Sequence, residues 1–225
     1  MNVLAIVAHP DDEIIGVAGT LYNHIQNGDN VKVIIFAEGK SSRCENYEDF
    51  DLNTLTDYEY ETKNALNILG IYQYEFLALA NNRLDSYDFL DIVKKVEKLI
   101  VSNSPDVIYT HYYKEMNNDH NILSKAVLTA ARPLPGSLVK EILLFETLSS
   151  TEYALSLGES FTPNLFVDIS SSINIKLEAM NAYKSELRLP PHPRSIELIK
   201  KNAELWGAKI GKKAAEAFIV SRILR

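Results

Sequence analysis

Two stretches of this chain gather residue types that can hold a metal ion and move a proton, and a third adds an imidazole and a guanidinium. In "HPDDE", His9, Asp11, Asp12 and Glu13 follow directly on an aliphatic run. In "THYYKEMNNDH", His111, Asp119 and His120 lie close together, and "PPHPRS" carries His192 and Arg194. Acidic residues at a helix start can simply cap free N–H groups and face the positive end of the helix dipole. That reading of "HPDDE" leaves His9 unexplained. The alternative is a metal site, in which His9 and one of the two aspartates supply a nitrogen and an oxygen ligand while the other aspartate acts as a base. The second His/Asp cluster would complete it. Two imidazoles and a carboxylate, with room left for water, are the donor set of a catalytic zinc centre rather than a closed structural one. Neither cluster contains cysteine, which argues against a thiolate-bound structural zinc.

Residues so far apart need a scaffold that brings them to one edge. Met1 to Ala8 reads as a buried strand, short and without polar alternation. Ile14 to Asn27 has helical spacing, with Ile15, Ala18, Leu21 and Ile25 on one side and Gly28 closing it. "VKVIIFAEG" is a second buried strand, and the polar stretch "KSSRCENYEDFDLNTLT" reads as a long surface loop. Further helices are expected at Asp57 to Leu69, Tyr87 to Ser102, Asp119 to Ala131, Ile173 to Leu187 and Ser195 to Ala217. Further strands are expected at "YEFLAL", "DVIYTH", "EILLFE" and "LFVDI". Strand and helix alternate through the first two-thirds, the pattern of a parallel sheet covered on both faces. The reading is α/β: a single Rossmann-like domain over 1–225, with a mostly parallel sheet flanked by helices. The part from about 147 either completes the sheet or caps the site. Ligands of such sheets sit at the carboxyl ends of the strands, near the point where strand order reverses. His9 to Glu13, Glu38 to Arg43 and His111 to His120 all fall on that rim.

Composition narrows the function classes. With 225 residues the chain can bury a full core. A net charge of −7 disfavours nucleic acid and anionic lipid as partners. Cys44 is the lone cysteine, so a reducing compartment is expected, and with it a cytoplasmic location. The apolar N-terminus is too short for a signal-peptide core, and no run approaches the roughly 20 apolar residues of a membrane span.

"AHPDDE", the downstream "TH" and "NNDH", and "AEAF" near the C-terminus together resemble the PIG-L/LmbE-like family of zinc-dependent N-acetylglucosaminyl deacetylases. The likeness extends over nearly the whole chain. "GKSSR", "NNRLD", "LSSTEY", "PNLFVDIS" and "YKSELRLPPHPRS" resemble a bacterial branch associated with sugar and surface-polysaccharide genes. The resemblance implies a Rossmann-like fold and hydrolysis of an N-acyl group from an amino sugar. It implies His9, Asp12 and His120 as zinc ligands and Asp11 as the general base. Zinc suits the task because it lowers the pKa of bound water to about 7 and polarises the amide carbonyl. Iron(II), cobalt or manganese would also accept these donors.

One position departs from the family pattern. Relatives often carry "HPDH", whose first His helps to stabilise the oxyanion; here the matching residue is Asn117. An amide donates a hydrogen bond but cannot become a cation, so compensation is expected from the metal and an arginine, then from His111, then from His192. Asp119 is read as orienting His120 from behind. Glu13 is read as pointing into its helix and pairing with a cation. Arg43, Arg83, His192 and Arg194 are the candidate substrate-binding residues, since a guanidinium suits sugar hydroxyls or a diphosphate. The substrate class is a small N-acylated sugar, free or linked to nucleotide or lipid, and a homo-oligomer would suit the Pro-rich turn. Competing readings are an amidohydrolase on a non-sugar amine, a phosphoesterase using hard cations, and a sugar-binding module without catalysis. Two imidazoles in the donor set count against hard cations.

Overall fold

The computed structural model describes residues 1–41, 55–137 and 139–225; Arg43 and Cys44 lie outside them. Its strands form one seven-stranded sheet in the order β3-β2-β1-β4-β5-β7-β6. β1 (Asn2–Val7), β2 (Asn30–Ala37), β3 (Gln73–Leu79), β4 (Val107–His111) and β5 (Glu141–Phe145) run parallel. β7 (Ala215–Ile223) is antiparallel to both β5 and β6 (Leu165–Asp168). The unbroken apolar character of β1 follows from burial on both faces. Val3, Ala5 and Val7 join a core under α1 (Asp12–Gln26), α2 (Leu55–Ile68), α5 (Ile173–Ala182) and α6 (Ile196–Lys209). Leu4, Ile6 and Ala8 join a second core under α3 (Phe89–Asn103) and α4 (Asn118–Ala130).

Strand order reverses between β1 and β4, and the two strands that end in His/Asp clusters are therefore neighbours. β6 and β7 complete the sheet, while residues between α5 and α6 bring Glu186, Arg188 and Arg194 to the carboxyl edge. The expected helix from Ser195 to Ala217 is overturned: α6 stops at Lys209, the chain turns at Gly211 with φ +71°, and "AEAFIVSRI" becomes β7. A short apolar run does not distinguish strand from helix by its period. Here β5 and β6 offer backbone partners on both sides. Likewise α5 ends at Ala182, short of Leu187.

A buried ion pair fixes α1 against this C-terminal sheet. Glu216 on β7 accepts from Gly19 N at 2.9 Å and Thr20 N at 2.7 Å, in the middle of α1. Lys176 on α5 donates to Ile15 O at 2.8 Å and meets Glu216 at 2.6 Å. The Glu of "AEAF" thus acts on the helix that begins with the acidic cluster. Among the described residues, no helix is long and apolar enough to cross a membrane.

Candidate active site

The turn from β1 into α1 aims its side chains by backbone conformation. Asp11 is the N-cap residue of α1 with φ 95° and ψ −27°, a left-handed state that aspartate tolerates at a cost of about 1–3 kcal/mol. Its carbonyl accepts from Ile14 N and Ile15 N, which starts the helix, but its side chain makes no capping bond. That carboxylate is free for other work. Asp12 turns back instead, its Oδ2 accepting from His9 N at 2.8 Å. Gly39 lets the turn after β2 pass close by, because a Cβ there would stand 3.0 Å from Pro10 Cδ.

His9, Asp12 and His120 converge. His9 Nδ1 lies 3.0 Å from His120 Nε2, His120 Nε2 lies 3.2 Å from Asp12 Oδ2, and His9 Nδ1 lies 3.4 Å from Asp12 Oδ2. The outer nitrogens decide the tautomers, since an ionised carboxylate only accepts. His9 Nε2 donates to Asp119 Oδ2 at 3.1 Å, and His120 Nδ1 donates to Glu115 Oε1. Each ring therefore turns an unprotonated nitrogen toward Asp12. With neutral rings these are three acceptors facing one another, an arrangement that protons on the rings or a metal ion between them relieves. The face of a tetrahedral zinc site, with ligands at 2.0–2.1 Å, has edges of about 3.3–3.4 Å, close to the triangle observed. The residues fit a divalent ion. A second grouping, His111, Glu115 and His120, is also close enough in space. Its His111 Nε2 already accepts the Ala8 N–H at 3.0 Å, which leaves that group the poorer site.

The electrostatics agree. Burial opposes charge on His9, yet the hydrogen bonds it donates to Asp119 and Asp12 raise its pKa to about 9. Burial likewise opposes charge on His120, and Asp12 and Glu115 outweigh it, holding His120 well above its ordinary range. Burial favours a neutral Asp12, but the charge on His120, with hydrogen bonds from His120 and His9, holds it well below the usual carboxylate range. The pocket is built for positive charge. Asp11 differs from its neighbour: burial and the charge of Asp12 push it up to about 7, against the pull of Arg194.

Beside this cluster opens a cavity of about 520 Å³. Asn82, Asn117, Asn118, Ser149 and Ser150 line it together with Asp11, Asp12, His9, His120, Arg188 and Arg194. Asn82 and Ser149, at φ 53° and 72°, share with Asp11 the left-handed backbone that clusters at functional sites.

The expected site residues divide as follows. His111 is fully buried at the end of β4, and its Nδ1 donates to Thr147 Oγ1 at 3.0 Å while Nε2 accepts from Ala8. Burial and the neighbouring His120 charge keep it neutral, well below its ordinary pKa. With both nitrogens engaged it has none for an oxyanion, and the expectation of a compensating cation there fails. Its ring instead stacks on His120, centroids 3.9 Å apart and planes 13° apart. His192 does not line the cavity; its Nδ1 accepts from Arg194 N at 3.1 Å and shapes the turn. Arg83 is exposed and not among the lining residues. Arg194 lines the cavity, but its Nη1 is held by Asp11 and Glu186, both at 3.2 Å. Asp119 orients His9 rather than His120, and its other oxygen accepts from Leu84 N at 2.9 Å. Among the described residues Glu13 pairs with no cation: its Oε1 accepts from the Tyr183 hydroxyl at 2.6 Å, and burial raises its pKa to about 8.

Sequence reasoning missed Glu115. This buried carboxylate holds His120 and accepts from Ser150 Oγ at 3.1 Å and Thr151 Oγ1 at 2.5 Å. Its only advance signal was an acid inside the same "KEMNNDH" run. Asn117 caps α4, its Oδ1 accepting from Asp119 N at 2.9 Å and His120 N at 3.4 Å, while its Nδ2 donates to Asn82 Oδ1 at 3.1 Å. Asn117→Ala is expected to cost about 1 kcal/mol through the lost cap, a fall of roughly 2–4 °C in melting temperature. Asn117→Asp should keep most of that stability in the same thermal melt.

A mostly parallel α/β sheet here places two imidazoles, a carboxylate and an adjacent buried acid at its switch point, a donor set that suits one divalent metal ion and hydrolytic chemistry. The chain belongs to the PIG-L family, described as GlcNAc-PI de-N-acetylase, which it matches over residues 4–131. It is 29% identical over 190 residues to "Uncharacterized deacetylase YaiS" of Escherichia coli (strain K12), covering 82% of this chain and 91% of that protein. The fold is similar to that of N,N'-diacetylchitobiose deacetylase from Pyrococcus horikoshii, with a TM-score of 0.77 and 20% identity over 98% of this chain and 83% of the other. It is equally similar to GalB, a 4-carboxy-2-hydroxymuconate hydratase from Pseudomonas putida KT2440, at TM-score 0.78 and 19% identity over 100% and 99%. The fold therefore leaves the reaction open, and membership of the family specifies it.

Proposed function

We propose that this chain is a zinc-dependent N-deacetylase that removes an acetyl or similar short acyl group from an amino sugar or sugar conjugate. The observation that carries this reading is the convergence of His9 Nδ1, Asp12 Oδ2 and His120 Nε2 at the edge of a polar cavity, with Asp11 beside them. A divalent ion held there supplies Lewis acidity, lowering the pKa of water and polarising an amide carbonyl. Asp11 accepts the proton of the attacking water and returns it to the leaving amine. Asp119 and Glu115 fix the rings of His9 and His120, which is the task of carboxylates behind metal-bound imidazoles. Asn117 has one amide hydrogen beyond its bond to Asn82 and offers it to the oxyanion. Asn82, Asn118, Ser149 and Ser150 suit the hydroxyls of a sugar ring.

The lone cysteine supports a reducing, cytoplasmic setting, and the stretches shared with a polysaccharide-associated branch support a sugar destined for the cell surface. The test is release of free amine from a panel of N-acetylated sugars and nucleotide sugars. Activity should vanish with a strong chelator and return with zinc. Amine release that ignores the chelator, or none from any sugar by the zinc-loaded protein, would overturn the proposal.

A further inference from the structure

We infer that Arg194, braced by Glu186, is a positioning residue that aims the Asp11 carboxylate into the cavity, not a group that grips substrate. The inference rests on the proposed function in taking Asp11 as the proton acceptor.

Asp11 needs an outside hold. It begins α1 in a left-handed backbone state, and no bond to its own helix fixes its side chain. Among the described residues, the side chain that donates to its carboxylate is Arg194, whose Nη1 meets Oδ2 at 3.2 Å across 183 positions of sequence. The same nitrogen meets Glu186 Oε2 at 3.2 Å, and the other oxygen of Glu186 accepts from the Tyr58 hydroxyl. Asp11 and Glu186 are 2% and 4% exposed, so the guanidinium bridges two buried carboxylates.

The arginine is itself held rigidly. Its backbone N–H donates to His192 Nδ1 at 3.1 Å, and Ser195 N bonds His192 O at 2.9 Å. Ser195 then caps α6, its Oγ accepting from Leu198 N at 3.2 Å. The turn "HPRS" is thus a mount for one side chain. A guanidinium already facing two carboxylates has little charge to spare for an anionic substrate. The segment that carries Glu186 and Arg194 also lies beyond residues 4–131, the part that matches the family. The hold on the base is therefore supplied by this chain's C-terminal third.

The experiment compares Arg194→Ala, Arg194→Lys and Glu186→Gln with the unaltered protein in steady-state kinetics, metal content and crystal structures. Arg194→Ala should keep its metal and its KM while kcat falls about 100-fold, the usual cost of a misplaced reacting group. Added guanidinium should restore part of kcat, whereas Arg194→Lys should recover little, because an ammonium is a strongly hydrated point charge on a flexible stem and lacks the rigid plane that sets Nη1 between the two carboxylates. Glu186→Gln, which keeps the packing volume, should lower kcat in the same pattern but less. In crystals of Arg194→Ala the Asp11 carboxylate should leave its place or divide between rotamers. A rise in KM at constant kcat, indifference to guanidinium, or an Asp11 unmoved in the variant crystal would each overturn the inference. A protein that releases amine from no sugar would remove the proposed function instead, and the crystal comparison would still decide this one.

Discussion

Asp11→Ala is expected to retain the metal ion and lose most turnover, with kcat lower by about 10²–10⁴-fold, the range for removal of a general base. The two outcomes separate because adjacent side chains do different work. Asp12 Oδ2 is the oxygen within 3.2–3.4 Å of both imidazole nitrogens, whereas the Asp11 carboxylate bonds to Arg194 and lines the cavity. Removing Asp11 leaves the donor triangle complete. Asp11→Asn is the sharper variant, since it preserves shape and the bond from Arg194 but takes no proton. Metal per chain by atomic emission and kcat on the best sugar of the panel measure both halves. Near-full activity in either variant would move the proton to another group and undo the assignment of roles.

His120→Ala is expected to lose metal and activity together. The side chain of His120 is engaged on every side: its Nε2 completes the triangle, its Nδ1 binds Glu115, and its ring stacks on His111. Deleting it strands Glu115 as a buried carboxylate left, among the described residues, with the hydroxyls of Ser150 and Thr151. An uncompensated buried charge is costly, so a lower melting temperature should accompany the loss. Glu115→Gln tests the same axis more gently. It should weaken metal affinity about 10–100-fold, with activity regained at high metal concentration. Chelator competition measures this directly. A His120→Ala protein with metal bound at full stoichiometry would mean that the ion sits elsewhere, and the alternative grouping with His111 could not rescue the proposal, because it shares His120.

Much of this was written locally. Short unbroken aliphatic runs can satisfy both faces only inside a covered sheet, so β1, β2 and β4 were legible from composition alone. The donors that converge at the strand ends were legible as candidates too, because His and Asp at the ends of buried strands have few other reasons to occur in such density. The C-terminal strand was not. "AEAFIVSRI" carries no period that excludes a helix, and its state depends on two strands that come from 141–145 and 165–168.

The partners of the site residues were least legible of all. A sequence shows that Asp119 adjoins His120, yet the helix turns its carboxylate toward His9, 110 positions away. It shows an acid at Glu115 but not that the cap made by Asn117 swings His120 Nδ1 onto it. It shows an arginine in "HPRS", and only the fold sets that arginine against Asp11 instead of open solvent or substrate. Residue types and strand ends are fixed by short-range chemistry, which the chain states in order. Which nitrogen faces which oxygen is fixed by helix rotation and loop path, and those are decided by packing across the whole sheet.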